Sequence, residues 1–483
     1  MPRRFLLLAI CFTLCNGCTA YVDRTRVFRQ EFFAGHLVEA RREHERLTHR
    51  PGPNADPLAL DRALVDLVAG DTAAAKKSLR QIRDRVDSAE QCDVGEKALT
   101  MLTDDTRRSY TGEDHEAILM RGLLAVADLF DEGGDVYSYS LQMNEKQRQL
   151  TDVRLATRHR AQEEKARKRP KHPPVGPPQP PNESVVMPVD FTEEALPSEL
   201  ADDTPVPPAV ALGAYLRAMM HEEFPTEIDD LRRERTAILE AAPEFREGAA
   251  DHERADAGQR FQAGNGAVYV LAFVGRGPRL EEVSEVPSQM ALLIADRMLS
   301  QGRHTLPPTI APIRVPIVVR SAGSIDHLQV RREGQTVGQT STLVDIGALA
   351  AAHAQLRHDE ALARAIVRRV VKKGSIYALK EGVKAQRAPE AELLLDLAGI
   401  AWEATETADT RCWSLLPDRI QATRIELPAG RHVLTFQPAG VPTFAAAPCT
   451  ATVPVRAGQF SCVLVDFPDG RAVAPPLVHP RGD

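Results

Sequence analysis

Apolar side chains recur at helical spacing over the first third of the chain. Leu37, Ala40, His44 and Leu47 fall, with Arg41, on the i, i+3, i+4, i+7 template, while Arg42, Glu43, Glu45 and Arg46 take the other side. That is the signature of a helix with one buried stripe. Asp56 stands where an N-cap belongs, ahead of Leu58, Leu60, Leu64 and Leu67. Ile118 to Val126 is apolar except for Arg121 and predicts a long buried helix, and a further helix starts at Val136 and passes through Asn144. Two strings look alike, Ala34-Gly35-His36-Leu37-Val38-Glu39-Ala40 and Ala69-Gly70-Asp71-Thr72-Ala73-Ala74-Ala75, each with a glycine at a helix–helix turn. Their glycines are 35 residues apart, close to the ~34-residue period of tetratricopeptide (TPR) repeats. A third turn, Glu132-Gly133-Gly134-Asp135, precedes the helix at Val136. The spacing predicts a TPR-like helical domain over residues 18–167, whose stacked pairs would leave a concave surface for a peptide or partner protein. A helical bundle without a groove is the competing reading.

Composition then changes sharply. From Pro170, seven of twelve residues are proline, which ends any helix and favours extended polyproline II. Residues 168–208 therefore read as an exposed, semi-rigid Pro-rich linker. Helices resume at Ala209, with Leu212, Tyr215, Leu216 and Met219 on one face and Ile228, Leu231 and Ile238 on the next. Gly264-Asn265-Gly266 marks a turn into strands at Ala267–Val274, Ile313–Val319 and His327–Arg331. Asp345 then caps a helix from Ile346 to Lys384, followed by another over Ala388–Glu406. These make an α+β body over 209–420. In the tail, Thr423–Leu427 and Val433–Phe436 flank Pro428-Ala429-Gly430-Arg431, and Ala451–Val455 and Phe460–Val465 flank Ala457-Gly458. Both read as hairpins, so residues 421–483 are expected to form a small β-sandwich-like module. The fold class expected is multidomain, α then α+β.

The N-terminus bears on compartment. Arg3 and Arg4 precede an uncharged, mostly apolar run from Phe5 to Leu14, far short of the ~20 residues a membrane-spanning helix needs and suited to the core of a secretory signal. Gly17 before Cys18 resembles the lipobox, at which a signal peptide is cut ahead of an acylated cysteine; Cys15 stands where that motif usually has leucine. Residues 1–17 are thus read as a lipoprotein signal peptide and Cys18 as the lipidation site, its acyl chains holding the chain to a membrane. Thr19 after that cysteine suggests the outer membrane, facing the periplasm. Export permits disulfides among Cys92, Cys412, Cys449 and Cys462, a bridge among the last three or buried free thiols being the alternatives.

Net charge is −7 and aromatic residues are 5% of the chain, which argues against nucleic acid as a partner. No catalytic, cofactor or metal set emerges. The strand running into Gly275-Arg276-Gly277-Pro278 has Leu280 where a dinucleotide fingerprint needs a third small residue. His221-Glu222-Glu223-Phe224-Pro225 starts like a zinc-binding HExxH but ends in proline, and reads as the end of a surface helix. Arg364, Arg368 and Lys372 form a basic stripe, suited to lipid headgroups or an acidic partner and equally to solvent. The most distinctive string is Asp409-Thr410-Arg411-Cys412-Trp413-Ser414-Leu415-Leu416-Pro417, where an Asp409–Arg411 salt bridge would pin a loop over a buried Trp413.

This set of motifs resembles an uncharacterised family of bacterial TPR-containing lipoproteins. The likeness runs through the Cys18 lipobox, Tyr110-Thr111-Gly112-Glu113-Asp114-His115-Glu116, the strand from Gly266 to Phe273 with Gly277-Pro278, and Lys372-Lys373. It continues through Ala408-Asp409-Thr410-Arg411-Cys412-Trp413 with Leu416-Pro417, and Leu427-Pro428-Ala429-Gly430-Arg431-His432. The last turn also resembles PEGA-type β modules, while residues 168–208 look like an insertion. The resemblance implies location and architecture, and an association with lipoproteins that activate penicillin-binding proteins. The function expected is a membrane-anchored scaffold or assembly factor of the cell envelope, not an enzyme, binding an envelope protein through its TPR-like helices. A hydrolase of cell-wall polymer and a structural subunit of an outer-membrane export assembly are the alternatives.

Overall fold

The computed structural model describes residues 21–91, 110, 112–131, 133–168, 209–288, 291–292, 295, 312–321, 323, 325–385, 408–440 and 447–479. The signal peptide, Cys18, Cys92, the Pro-rich stretch after Lys168 and the helix expected over 388–406 lie outside them. The architecture is α+β with an N-terminal helical region.

After one helical turn at Tyr21–Arg24, that region is built from helix hairpins: α1 (Arg26–Phe33) with α2 (Leu37–Thr48), α3 (Ala55–Val68) with α4 (Thr72–Gln91), and α5 (Asp114–Leu129) with α6 (Val136–Lys168). The turns use the glycines that the repeat spacing singled out. Gly35 and Gly70 sit at φ +79° and +85°, where the chain reverses while the last helical carbonyls are still received: His36 N–H donates to Glu31 at 2.9 Å and Asp71 N–H to Asp66 at 2.8 Å. Gly133 does the same for the third hairpin, donating to Asp128 at 2.7 Å. Asp56 is not the cap of α3 but lies in its first turn, paired with Arg85 at 2.6 Å. α3 and α5 are buried almost all round, as a helix apolar on every face must be.

The Pro-rich stretch interrupts the sequence but not the stack. α7 (Leu212–His221) packs against α6 and is followed by α8 (Ile228–Ala241) and α9 (Gly248–Asp256). Glycines permit the approach. A Cβ on Gly122 of α5 would stand 2.9 Å from Met143 Sδ, and one on Gly213 of α7 would stand 2.7 Å from Asn144 Oδ1. Arg217 on α7 donates to the Ser140 carbonyl at 3.1 Å and grips Glu234 of α8 at 2.8 and 2.6 Å. Residues 209–256 therefore extend the helical region, and the division expected at the linker falls inside one packed unit.

The strands form two larger sheets. One has the order β11–β10–β1–β7–β6, from β1 (Asn265–Arg276), β6 (Ser341–Asp345), β7 (Pro417–Pro428), β10 (Phe460–Phe467) and β11 (Leu477–His479). The other has the order β5–β4–β8–β9, from β4 (His327–Arg332), β5 (Gln335–Gln339), β8 (Gly430–Ala439) and β9 (Cys449–Val455). β2 (Arg279–Glu285) and β3 (Ile313–Val319) pair as a separate ribbon, covered by Leu362, Ala363 and Ile366 of α10 (Ile346–Ala385). Asp345 caps α10, accepting from Ala348 N–H at 2.6 Å.

β1 is the hub. Its apolar run is buried on both faces, as in a central strand covered by two layers. Tyr269, Leu271 and Phe273 share the helical core. Val268, Val270, Ala272 and Val274 face the second sheet, where Leu328, Val330, Leu434, Phe436 and Val453 meet them. β10 runs parallel to β1 and β7 antiparallel.

This topology corrects both hairpins expected in the tail. β7 pairs with β1 and β6, β8 with β4 and β9, and β10 with β1 and β11, so Pro428-Ala429-Gly430 and Ala457-Gly458 are corners at which the chain changes sheets. The boundary expected at residue 420 falls inside β7, and the tail is woven into the strands of the body. The second corner closes on β1: Gly458 N–H donates to Asn265 at 2.9 Å and Ala267 N–H to Gln459 at 3.0 Å. A Cβ on Gly266 would come within 2.2 Å of the Arg456 carbonyl oxygen. Gly266→Ala should therefore lose about 1–3 kcal/mol to overpacking, read as a lower urea midpoint; an unchanged midpoint would show that the corner gives way freely.

Asp466 of β10 is 7% exposed, and burial pushes its carboxyl from 3.8 up to about 8. The folded state then holds a proton that the unfolded chain has released. This contribution to stability is complete below about pH 4 and is lost as pH climbs to about 8. Urea midpoints taken at about pH 5 and about pH 8 should fall less in Asp466→Asn than in the parent; equal falls would refute the assignment.

Candidate functional site

The distinctive string that starts at Ala408, just ahead of β7, sits at the junction of the helices and the sheet. Asp409 and Arg411 pair side-on, at 2.9 Å through Nε and 2.7 Å through Nη2. Arg411 also donates to the Pro53 carbonyl at 2.8 Å and lies over the Tyr110 ring at 5.7 Å. Trp413 is 1% exposed within the core shared by helices and sheet, and its indole N–H has no acceptor among the described residues.

Two carboxyl groups that the sequence reading passed over hold the loop from the helical side. Asp61 of α3 accepts from the Leu415 N–H at 3.0 Å and from the Ser414 and Tyr21 hydroxyls at 2.8 and 3.0 Å. Glu116 of α5 accepts from the Trp413 N–H at 2.7 Å, from the Glu113 N–H at 2.9 Å and from the Tyr110 hydroxyl. Burial raises both acids to about 7. A second buried polar cluster sits where α7 and α9 meet β1 and β7. Glu222 is 1% exposed, not at a surface helix end, and takes Arg424 at 2.9 Å, Arg254 at 3.5 Å and the Tyr269 hydroxyl. Arg235 bridges Asp251 at 2.9 Å and Tyr269 at 2.9 Å. One signal in the sequence could have revealed Asp61 and Glu116: each interrupts an otherwise apolar helical face.

Cys412, Cys449 and Cys462 are free thiols. No bridge joins them because Cys462 faces the helical core, Cys449 packs between the two sheets, and Cys412 lies in the junction loop. Burial pushes the Cys449 thiol up to about 12 and the other two well above their ordinary value. Beside the basic stripe, Arg369 donates to the Pro312 carbonyl at 3.0 Å, and the side chains of Arg368, Lys372 and Lys373 lie outside the described residues.

An open groove of about 1440 Å³ runs between α4, α6, α7 and α8. Its floor is made of small side chains, Ala211, Ala214, Ala237 and Ala241, beside Val210. Gln142, Asn144 and Gln149 add amides, and Leu141, 46% exposed, stands at its side. Acidic and basic side chains alternate along it: Arg83 pairs with Asp84 at 2.8 Å, and Arg121 with Asp87 at 2.6 Å. A small-residue floor admits a backbone closely, and amides can both donate to and accept from its peptide groups.

No family model, curated protein or solved structure matches this chain.

Proposed function

We propose that this protein is a membrane-anchored bacterial lipoprotein, held through Cys18 on the periplasmic side of the outer membrane. There it acts as a protein-binding scaffold or assembly factor of the cell envelope. In this reading the helix hairpins are degenerate TPR-type pairs extended by α7 and α8, and the two sheets that share the apolar layer around β1 act as a β-sandwich-like second surface. The observation that carries it is the open groove, whose alanine floor and amide walls suit an extended segment of a partner protein. The lipobox-like Gly17-Cys18 supplies the anchor.

The test has two arms. Palmitate labelling of the parent and of Cys18→Ala, followed by fractionation, should show label and membrane association only with the cysteine. A photo-crosslinking residue at Gln142 should capture one envelope protein in living cells, Leu141→Asp should abolish that capture, and the same probe at Thr452 on the second sheet should not reproduce it. Protein found in the cytosol with its first seventeen residues intact would sink the anchor. Identical captures from Gln142 and Thr452 would sink the groove.

A further inference from the structure

Asp61 and Glu116 sit on different helices yet receive the N–H groups of Leu415 and Trp413, two residues apart in one loop. The remaining donors to them are the hydroxyls of Tyr21, Ser414 and Tyr110 and the N–H of Glu113. All are neutral, so among the described residues no cation is hydrogen-bonded to either carboxylate. The charged and titratable groups around the pair are few. Arg29 of α1 acts on Asp61 through space, and Glu113, the residue that caps α5, acts on Glu116. Arg279 of β2 opposes Arg29, and the Cys412 thiol lies beside both acids. Arg411 is held by Asp409 and the Pro53 carbonyl.

We propose that this junction is a proton-linked clasp: the loop over residues 408–416 docks on α3 and α5 with uptake of protons by the Asp61–Glu116 pair, so that mild acid tightens it and rising pH loosens it. The direction follows from burial. An acid whose pKa is raised on docking gives stability that is complete below its ordinary range, near 4, and is lost as pH climbs to its raised value. With one group protonated, its O–H can donate to a neighbouring hydroxyl oxygen. With both ionised, two buried carboxylates meet only neutral hydrogen-bond donors among the described residues, and opening the loop to water relieves them. An envelope protein in a compartment that follows external pH would thus have its helical region coupled to its sheets by ambient acidity.

Native-state hydrogen exchange of the full chain tests this, with opening constants corrected for intrinsic base catalysis and Val270 in β1 as the internal control. The Trp413 and Leu415 amides should open at least roughly tenfold more readily at about pH 7 than at about pH 5, and at each pH they should open more readily than Val270, which reports global unfolding. Glu116→Gln should flatten the profile in part and Asp61→Asn with Glu116→Gln should flatten it fully. A parent profile that is already flat overturns the clasp, as do Trp413 and Leu415 opening constants equal to that of Val270 across the pH range, which would assign the protons to global unfolding. If the double variant does not fold, Glu116→Gln alone decides, since an unaltered profile in it is also an overturning result.

Discussion

Glu222→Ala is expected to cost about 3–5 kcal/mol of stability, because removing one partner strands the others as buried charge. Arg424 is 5% exposed at its side chain and meets Glu222 at 2.9 Å. The Tyr269 hydroxyl, from the strand at the centre of the molecule, donates to the same carboxylate. Truncation therefore leaves Arg424 with Glu426 at 3.3 Å and the Arg260 carbonyl at 2.6 Å, and takes the acceptor of the Tyr269 hydroxyl away in a buried place. Glu222→Gln, which keeps two hydrogen-bonding atoms but not the charge, should lose distinctly less. Urea unfolding of the parent and both variants checks this. A loss under about 1 kcal/mol for Glu222→Ala would mean that Asp251 and Glu426 compensate the arginines unaided.

Trp413→Ala should be of similar size, about 3–5 kcal/mol, from lost burial and the cavity left behind. The ring lies in the core that helices and sheet share, and its backbone N–H is received by Glu116. The side chain and the backbone of one residue thus tie the two regions by different means. Trp413→Phe should be milder, because it keeps an aromatic ring and removes an indole N–H that finds no acceptor among the described residues. A Trp413→Ala midpoint within error of the parent would show that the junction repacks.

Local pattern carried much of this fold. The glycines at 35, 70 and 133, the strand after Gly266 and the long helix after Asp345 were legible because each follows from spacing, turn chemistry or capping over a few residues. The tail failed for a physical reason. Pro428-Ala429-Gly430 says that the chain bends, but β1 offers β7 and β10 better partners than β8 and β9 do, and such competition among distant strands leaves no mark in a short window. The continuation of the helical stack past the prolines was hidden likewise, since it rests on Gly122 and Gly213 meeting side chains of α6. At the junction, Asp409, Arg411 and Trp413 stood out by composition. Their counterparts Asp61 and Glu116 did not, because what they bind is main-chain N–H, which every residue but proline possesses.

The parallel pairing of β1 with β10 has a consequence for biogenesis. Val268 finds its neighbour only when Ser461 is available, and its other neighbour, Ile425, also comes late in the chain. A polypeptide made or threaded from its N-terminus must carry a bare, strongly apolar strand for most of that passage. Holdase chaperones should accordingly bind this segment during synthesis or translocation, and products cut short before β10 should aggregate through its open edge.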